Sequence, residues 1–237
     1  MKRIRIRQTV FAARTPMLLF LVVFLLTLSS CARKPQVAKE PPPPPEAVQP
    51  EPAPPPEPSK LEGWRQLVRQ QRVASIQEKL RSVNAFFNRF EFVEDRYLWG
   101  REDYWATLFE TLRMSGGDCE DLTIAKYFTL RDLDIADQHL RLTYVISLQT
   151  KKPHMVLTYS PEVKADPLVL DTVNQEILPV SRRSDLVPVY SFNQDGYWLA
   201  RRQEGWDGEQ LGGPARLSQW WSLLQRIPAD RRNLPGG

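Results

Sequence analysis

Residues 33 to 58 hold 12 of the chain's 21 prolines, including the unbroken run Pro41 to Pro45, and this tract divides the sequence before any other feature does. Proline fixes φ and has no backbone N–H, so such a stretch joins neither a helix nor a sheet ladder and has little apolar surface to bury. An extended polyproline II spacer is predicted, with a reach on the order of 80 Å. A globular fold is thereby confined to the C-terminal side of the tract: about 170 residues from 59 to 227, which contain all seven tryptophans and suit one compact domain. The tail 228–237 is expected to be disordered.

Ahead of the tract, Lys2, Arg3, Arg5, Arg7 and Arg14 precede an apolar run from Met17 to Leu28 that is short for a membrane span. Leu28-Ser29-Ser30-Cys31 ends it in the pattern of a bacterial lipobox. Residues 1–30 therefore read as a lipoprotein signal peptide, Cys31 as the lipidated mature N-terminus, and 31–58 as the tether to a membrane. An uncleaved anchor is the alternative. Removing five basic residues takes the formal charge from +4 to −1, so the basic balance belongs to the leader. The mature chain has no net positive charge and no basic patch interleaved with aromatics, which argues against nucleic-acid binding.

Within 59–227, Ser59 and Glu62 have capping-box spacing, and Val73, Ile76, Leu80, Val83 and Phe87 recur at three and four residues. One amphipathic helix of about 25 residues ending near Asn88 is expected. Phe90 to Tyr104 is aromatic and acidic, suited mainly to core packing and in part to lining a groove. A short helix is expected from Trp105 to Met114, then a tight turn at Gly116-Gly117 and a helix carrying Leu122, Ile124, Ala125, Phe128 and Leu130. Alternating, β-branched runs at 139–148, 154–159 and 167–171 read as strands, 190–193 and 197–200 as a hairpin, and Leu217 to Ile227 as a final helix. Helices first and antiparallel strands after make an α+β pattern.

With Cys31 used for lipid, Cys119 has no intramolecular disulfide partner in an oxidising envelope compartment, and it falls in the first turn of a helix, where the dipole favours thiolate. Two histidines limit the search for its base. His139 reads as an exposed loop residue. His154 begins one strand and Asp171 ends the next, so antiparallel pairing sets them on one sheet edge. A helix carrying Cys119 against that edge would complete a Cys-His-Asp set for nucleophilic catalysis. Asp118, Glu120 and Asp121 surround the thiol. They either cap the helix or hold a hard cation such as Ca²⁺, and left bare they oppose thiolate formation.

Asp103-Tyr104-Trp105-Ala106-Thr107, Gly117-Asp118-Cys119-Glu120-Asp121 with Lys126-Tyr127, His154-Met155-Val156-Leu157, Pro167-Leu168-Val169-Leu170-Asp171 and Pro188-Val189-Tyr190-Ser191-Phe192-Asn193 carry a resemblance. Together, and in this order between Trp64 and Trp198, these blocks resemble the LapG-type bacterial transglutaminase-like cysteine proteinases, periplasmic enzymes that release large surface adhesins. The resemblance implies a papain-like fold with Cys119 as nucleophile, His154 as base and acid, and Asp171 as orienting carboxylate. It implies a Ca²⁺ requirement met by Asp118, Glu120 and Asp121. As partners it implies a surface adhesin cut near its N-terminus at paired alanines, so controlling biofilm attachment, and an inhibitory inner-membrane receptor that responds to cyclic-di-GMP.

The chain departs from the family pattern at Leu108-Phe109, where a proline-containing segment is expected, and at Thr172, where asparagine is. The lipobox and tether leave inner or outer membrane open. Two other functions stay open at this point: a cell-wall amidase or transglutaminase on the same fold, and a non-catalytic envelope protein that binds a partner through its groove.

Overall fold

The computed structural model describes residues 59–162, 165–201 and 206–232. The leader, Cys31 and the proline tract lie outside these residues, as do 233–237. Among the described residues no helix is long and apolar enough to cross a membrane.

The expected 25-residue first helix is two helices, α1 (Lys60–Gln71) and α2 (Ile76–Phe87). The break is a capping box. Ser75 Oγ accepts from Glu78 N at 3.4 Å while Glu78 Oε2 accepts from Ser75 N at 3.0 Å, so the chain restarts a helix there. Val73, counted in the apolar stripe, falls in the connection and is 95% exposed. A two-residue strand, β1 (Glu91–Phe92), and a single turn, α3 (Asp95–Leu98), come next.

The following helix, α4 (Leu108–Met114), starts later than its apolar pattern suggests. Thr107 Oγ1 accepts from Glu110 N at 3.3 Å and Glu110 Oε2 from Thr107 N at 2.8 Å, a second capping box that fixes the start. Leu108 and Phe109, the first departure from the family pattern, are both buried here, with Trp64 packed edge-on against Phe109 at 5.4 Å.

After β2 (Gly116–Gly117) comes α5 (Cys119–Asp132), in which every residue from Asp121 to Leu130 is buried. A helix enclosed on all sides is a core element. It packs against α2 and α4 on one side and the sheet on the other.

That sheet comprises β3 (Leu140–Ser147), β4 (Pro153–Tyr159), β5 (Leu168–Leu170), β6 (Leu178–Pro179), β7 (Leu186–Phe192), β8 (Tyr197–Leu199) and β9 (Gln210–Gly212). All pairs are antiparallel, in the order β6-β5-β4-β3-β7-β8-β9. The expected strands are present. The two-residue strands and β9 are additions, too short to leave an alternation in the sequence.

The last helix, α6 (Ser218–Arg232), buries Trp220 and Leu223 and runs through Pro228. The disordered tail expected from Pro228 therefore does not begin there. Pro228 is exposed, and it deprives the Leu224 carbonyl of its helical partner within the last turns of the helix.

Candidate active site

Gly116-Gly117 is a close approach of two backbone segments, where a tight turn was expected. The left-handed residue is Ser115, at φ 58°. The glycines pair in parallel with Glu91 and Phe92. A Cβ on Gly116 would stand 2.9 Å from the Glu91 carbonyl oxygen, and one on Gly117 would stand 2.6 Å from Cβ of Asp121. Asp118 then caps α5, its Oδ1 accepting from Asp121 N at 3.3 Å, and Cys119 is the first helical residue.

His154 and Asp171 meet as the strand pairing dictates. Leu157 of β4 sits opposite Leu170 of β5. One step further along the ladder sets Asp171 across from Val156, with His154 two residues on along the same face of β4. That diagonal is within reach of a long side chain. His154 Nε2 and Asp171 Oδ1 are 2.7 Å apart, both residues being buried. A carboxylate can only accept, so Nε2 carries the hydrogen and Nδ1 remains an acceptor.

Burial alone would push the Asp171 carboxyl up. Bonds from His154, from Val173 N at 2.9 Å and from the Arg183 guanidinium at 2.7 Å more than offset it and hold the group well below the usual carboxylate range. His139, expected as an exposed loop residue, is half-buried instead: its Nδ1 lies 2.8 Å from the Ser160 carbonyl oxygen, tying the start of β3 to the loop after β4.

Cys119 and His154 line two recesses that share Pro153 as a wall. The narrower, of about 280 Å³, is walled by Trp105, Tyr144, Tyr190 and Glu120, with the two tyrosines stacked at 4.9 Å. The wider, of about 560 Å³, contains Asp171, Thr172, Phe92 and Gln175. Thr172, the second departure from the family pattern, has a buried hydroxyl without a protein partner at this wall. Two recesses that share a thiol and an imidazole in their walls suit an extended chain lying across both.

The carboxylates divide into two sets. Asp118 and Glu120 come together with Asp95, their oxygens within 4.8 Å of one another. Asp95 was not among the expected ligands. It arrives because Val93 N donates to the Gly117 carbonyl at 3.1 Å, which lays the start of α3 beside the start of α5. Asp121, which was expected in the cluster, is turned away: Oδ1 accepts from Ala106 N at 2.7 Å and Oδ2 from Trp99 Nε1 at 3.4 Å. It secures the 99–106 loop.

Burial, and then repulsion from Glu120 and Asp121, pushes Asp118 up to about 10. Burial likewise raises Asp121 to about 8 and, with repulsion from Glu120 and Asp103, Asp95 to about 6. Asp95 Oδ1 is buried with no protein partner. Crowded oxygen donors, one of them orphaned, are the donor set a hard divalent cation takes. The thiol is affected too: burial, then the charge and hydrogen bond of Glu120, push Cys119 well above its ordinary range, opposed by the Met155 backbone.

A cysteine at the N-terminus of a buried helix, set against an antiparallel sheet that carries a His–Asp pair, defines a cysteine peptidase of the papain-like α+β class. The comparisons narrow the class. A family model described as bacterial transglutaminase-like cysteine proteinase matches residues 62–204. Calcium-bound Legionella pneumophila LapG is 38% identical over 71% of this chain and 89% of its own, with a TM-score of 0.63. EGTA-treated LapG from the same organism gives 37% identity, 71% and 88% coverage, and a TM-score of 0.64. Among curated proteins no relative matches. The chain belongs to the bacterial transglutaminase-like cysteine proteinases and is of the LapG type.

Proposed function

We propose that this protein is a calcium-dependent cysteine endopeptidase of the bacterial periplasm, lipid-anchored through Cys31, which cuts the N-terminal region of a large surface adhesin and so controls biofilm attachment. The observation that carries the reading is the open cleft whose two recesses both contain Cys119 and His154, with Asp171 bonded behind the imidazole. Two recesses that meet the same thiol and imidazole favour cutting within a chain. Similarity to a LapG that binds calcium supports the metal requirement.

In the proposed reaction, Nδ1 of His154 takes the Cys119 proton as sulfur attacks the scissile carbonyl carbon. The same nitrogen returns the proton to the leaving amine, leaving an acyl-enzyme that water then cleaves. Asp171 fixes the tautomer and stabilises the imidazolium that forms in between. Asp95, Asp118 and Glu120 would hold the calcium ion, whose charge offsets carboxylates that otherwise keep the thiol protonated. An inner-membrane receptor responsive to cyclic-di-GMP is the proposed regulator.

The test is cleavage of the cognate adhesin's N-terminal region by the mature chain in calcium chloride, with loss of cutting in Cys119→Ala and in excess chelator. An adhesin left intact by the calcium-loaded chain sinks the reading. Palmitate incorporation that persists in Cys31→Ser would overturn the anchor independently.

A further inference from the structure

Arg183 was not singled out by the sequence, yet its guanidinium is the second group on the Asp171 carboxylate. Oδ1 of Asp171 is taken by His154 and Val173, while Oδ2 accepts from Arg183 Nη2 at 2.7 Å. The arginine is itself anchored to Asp185, from Nε at 2.9 Å and from Nη2 at 2.8 Å. Behind this, the main-chain carbonyl of Asp171 accepts from Asn88 Nδ2 at 2.9 Å and from Lys126 Nζ at 3.1 Å. Arg183 is 3% exposed and Asp171 1%.

Burying an arginine is costly, and a buried ion pair is often no better for stability than an apolar pair of the same volume. Its geometry gives a further reason for its presence. The terminal torsion of an aspartate is broad, so a carboxylate held through one oxygen alone, as His154 and Val173 hold Oδ1, can turn about that oxygen. With Oδ2 fixed by the guanidinium, Oδ1 stays directed at Nε2, and the imidazole is kept in the tautomer that leaves Nδ1 free to accept a proton. The imidazole also faces an ion pair in place of a lone anion.

We propose that Arg183, anchored by Asp185, is a positioning residue that fixes the Asp171 carboxylate and through it the tautomer and orientation of His154. The proposal rests on the reading of Cys119, His154 and Asp171 as the reacting set.

The test uses the mature chain in calcium chloride, with two measurements. One is ¹⁵N NMR of the imidazole nitrogens, assigned with His139→Gln since there are only two histidines. The other is the rate of iodoacetamide alkylation followed on the Cys119 peptide. In Arg183→Gln, His154 is expected to lose its single Nε2–H tautomer for a mixture, and alkylation to slow by about ten- to a hundredfold. Arg183→Lys, which keeps one donor, recovers part of both signals, and exposed Arg182→Gln changes neither.

A folded Arg183→Gln with the parent's His154 spectrum and alkylation rate overturns the proposal. Should that variant not fold, Asp185→Asn decides, with a smaller change of the same kind expected and an unchanged spectrum and rate counting against. If His154→Ala alkylates as fast as the parent, the catalytic reading has failed instead, independently of Arg183.

Discussion

Cys119 Sγ donates its hydrogen bond to Glu120 Oε2, on the next residue, at 2.8 Å. The thiol is thereby held in its protonated form by a group that also belongs to the acidic cluster. Replacing Glu120 by glutamine removes the negative charge and keeps the volume. Glu120→Gln is expected to alkylate at Cys119 several-fold faster than the parent when both are in chelator at neutral pH, and to gain less from added calcium. Equal rates in chelator would show that burial alone restrains the thiol.

The carboxylates also make a prediction about stability and pH. Asp95, Asp118 and Asp121 have raised values in the folded chain, about 6, 10 and 8. Between their ordinary range and these values the folded state binds protons that the unfolded state does not, so their contribution to stability falls as pH rises. In chelator the melting temperature should drop between pH 5 and pH 8. Calcium chloride should raise it more at pH 8 than at pH 5, by several degrees at a large excess over Kd. A calcium shift of the same size at both values contradicts the cluster as the site.

Lys126 runs the other way. It is fully buried beneath Asp171, and burial lowers it to about 7 against an opposing pull from Asp171. Between about 7 and its ordinary value the unfolded chain holds a proton that the folded one has released, so stability rises with pH across that window. Urea unfolding of the parent and Lys126→Met at pH 6.5 and 9.5 isolates the effect. The parent should gain a few kcal/mol on the variant at the higher pH. Parallel behaviour of the two proteins would mean that Lys126 keeps its proton when buried.

Asp95 and Asp121 separate the proposed cation site from the scaffold. Asp95→Asn is expected to weaken calcium binding at least about tenfold by calorimetry and to leave the fold in place, since it removes charge from the cluster. Asp121→Ala should cost about 1–3 kcal/mol in unfolding experiments, because it strands the buried Ala106 N–H. The reverse pattern would restore Asp121 as a ligand and demote Asp95.

The meeting of His154 with Asp171 was legible in the sequence as one possibility: two histidines leave few combinations, antiparallel pairing would bring those strand ends together, and the family resemblance singled out the set with Cys119. Asp95 was not legible, because it reaches the site through two parallel pairs, Glu91 with Gly116 and Phe92 with Gly117, and a ladder that short leaves no periodic trace. Arg183 was hidden likewise, just after a single 3₁₀ turn, Val180–Arg182, between β6 and β7. The break at Ser75 was visible as a serine followed three residues later by Glu78. An apolar spacing that continued across it outweighed that signal, although Val73 and Ile76 turn out to face solvent.

The short pairing of β1 with β2 has a consequence for what a bound cation does. Asp95 and Asp118 lie far apart in the chain, and the segment between them includes Trp105, a wall of the narrow recess. An ion held by both residues would clamp the ends of a loop that the pairs Glu91 with Gly116 and Phe92 with Gly117 already close, and so would stiffen the segment between them. Removing it would loosen the loop and leave the carboxylates crowded without a counter-charge. A single chelation event would then reshape the mouth of the cleft and quench the sulfur within it, so substrate capture and chemistry would be lost together.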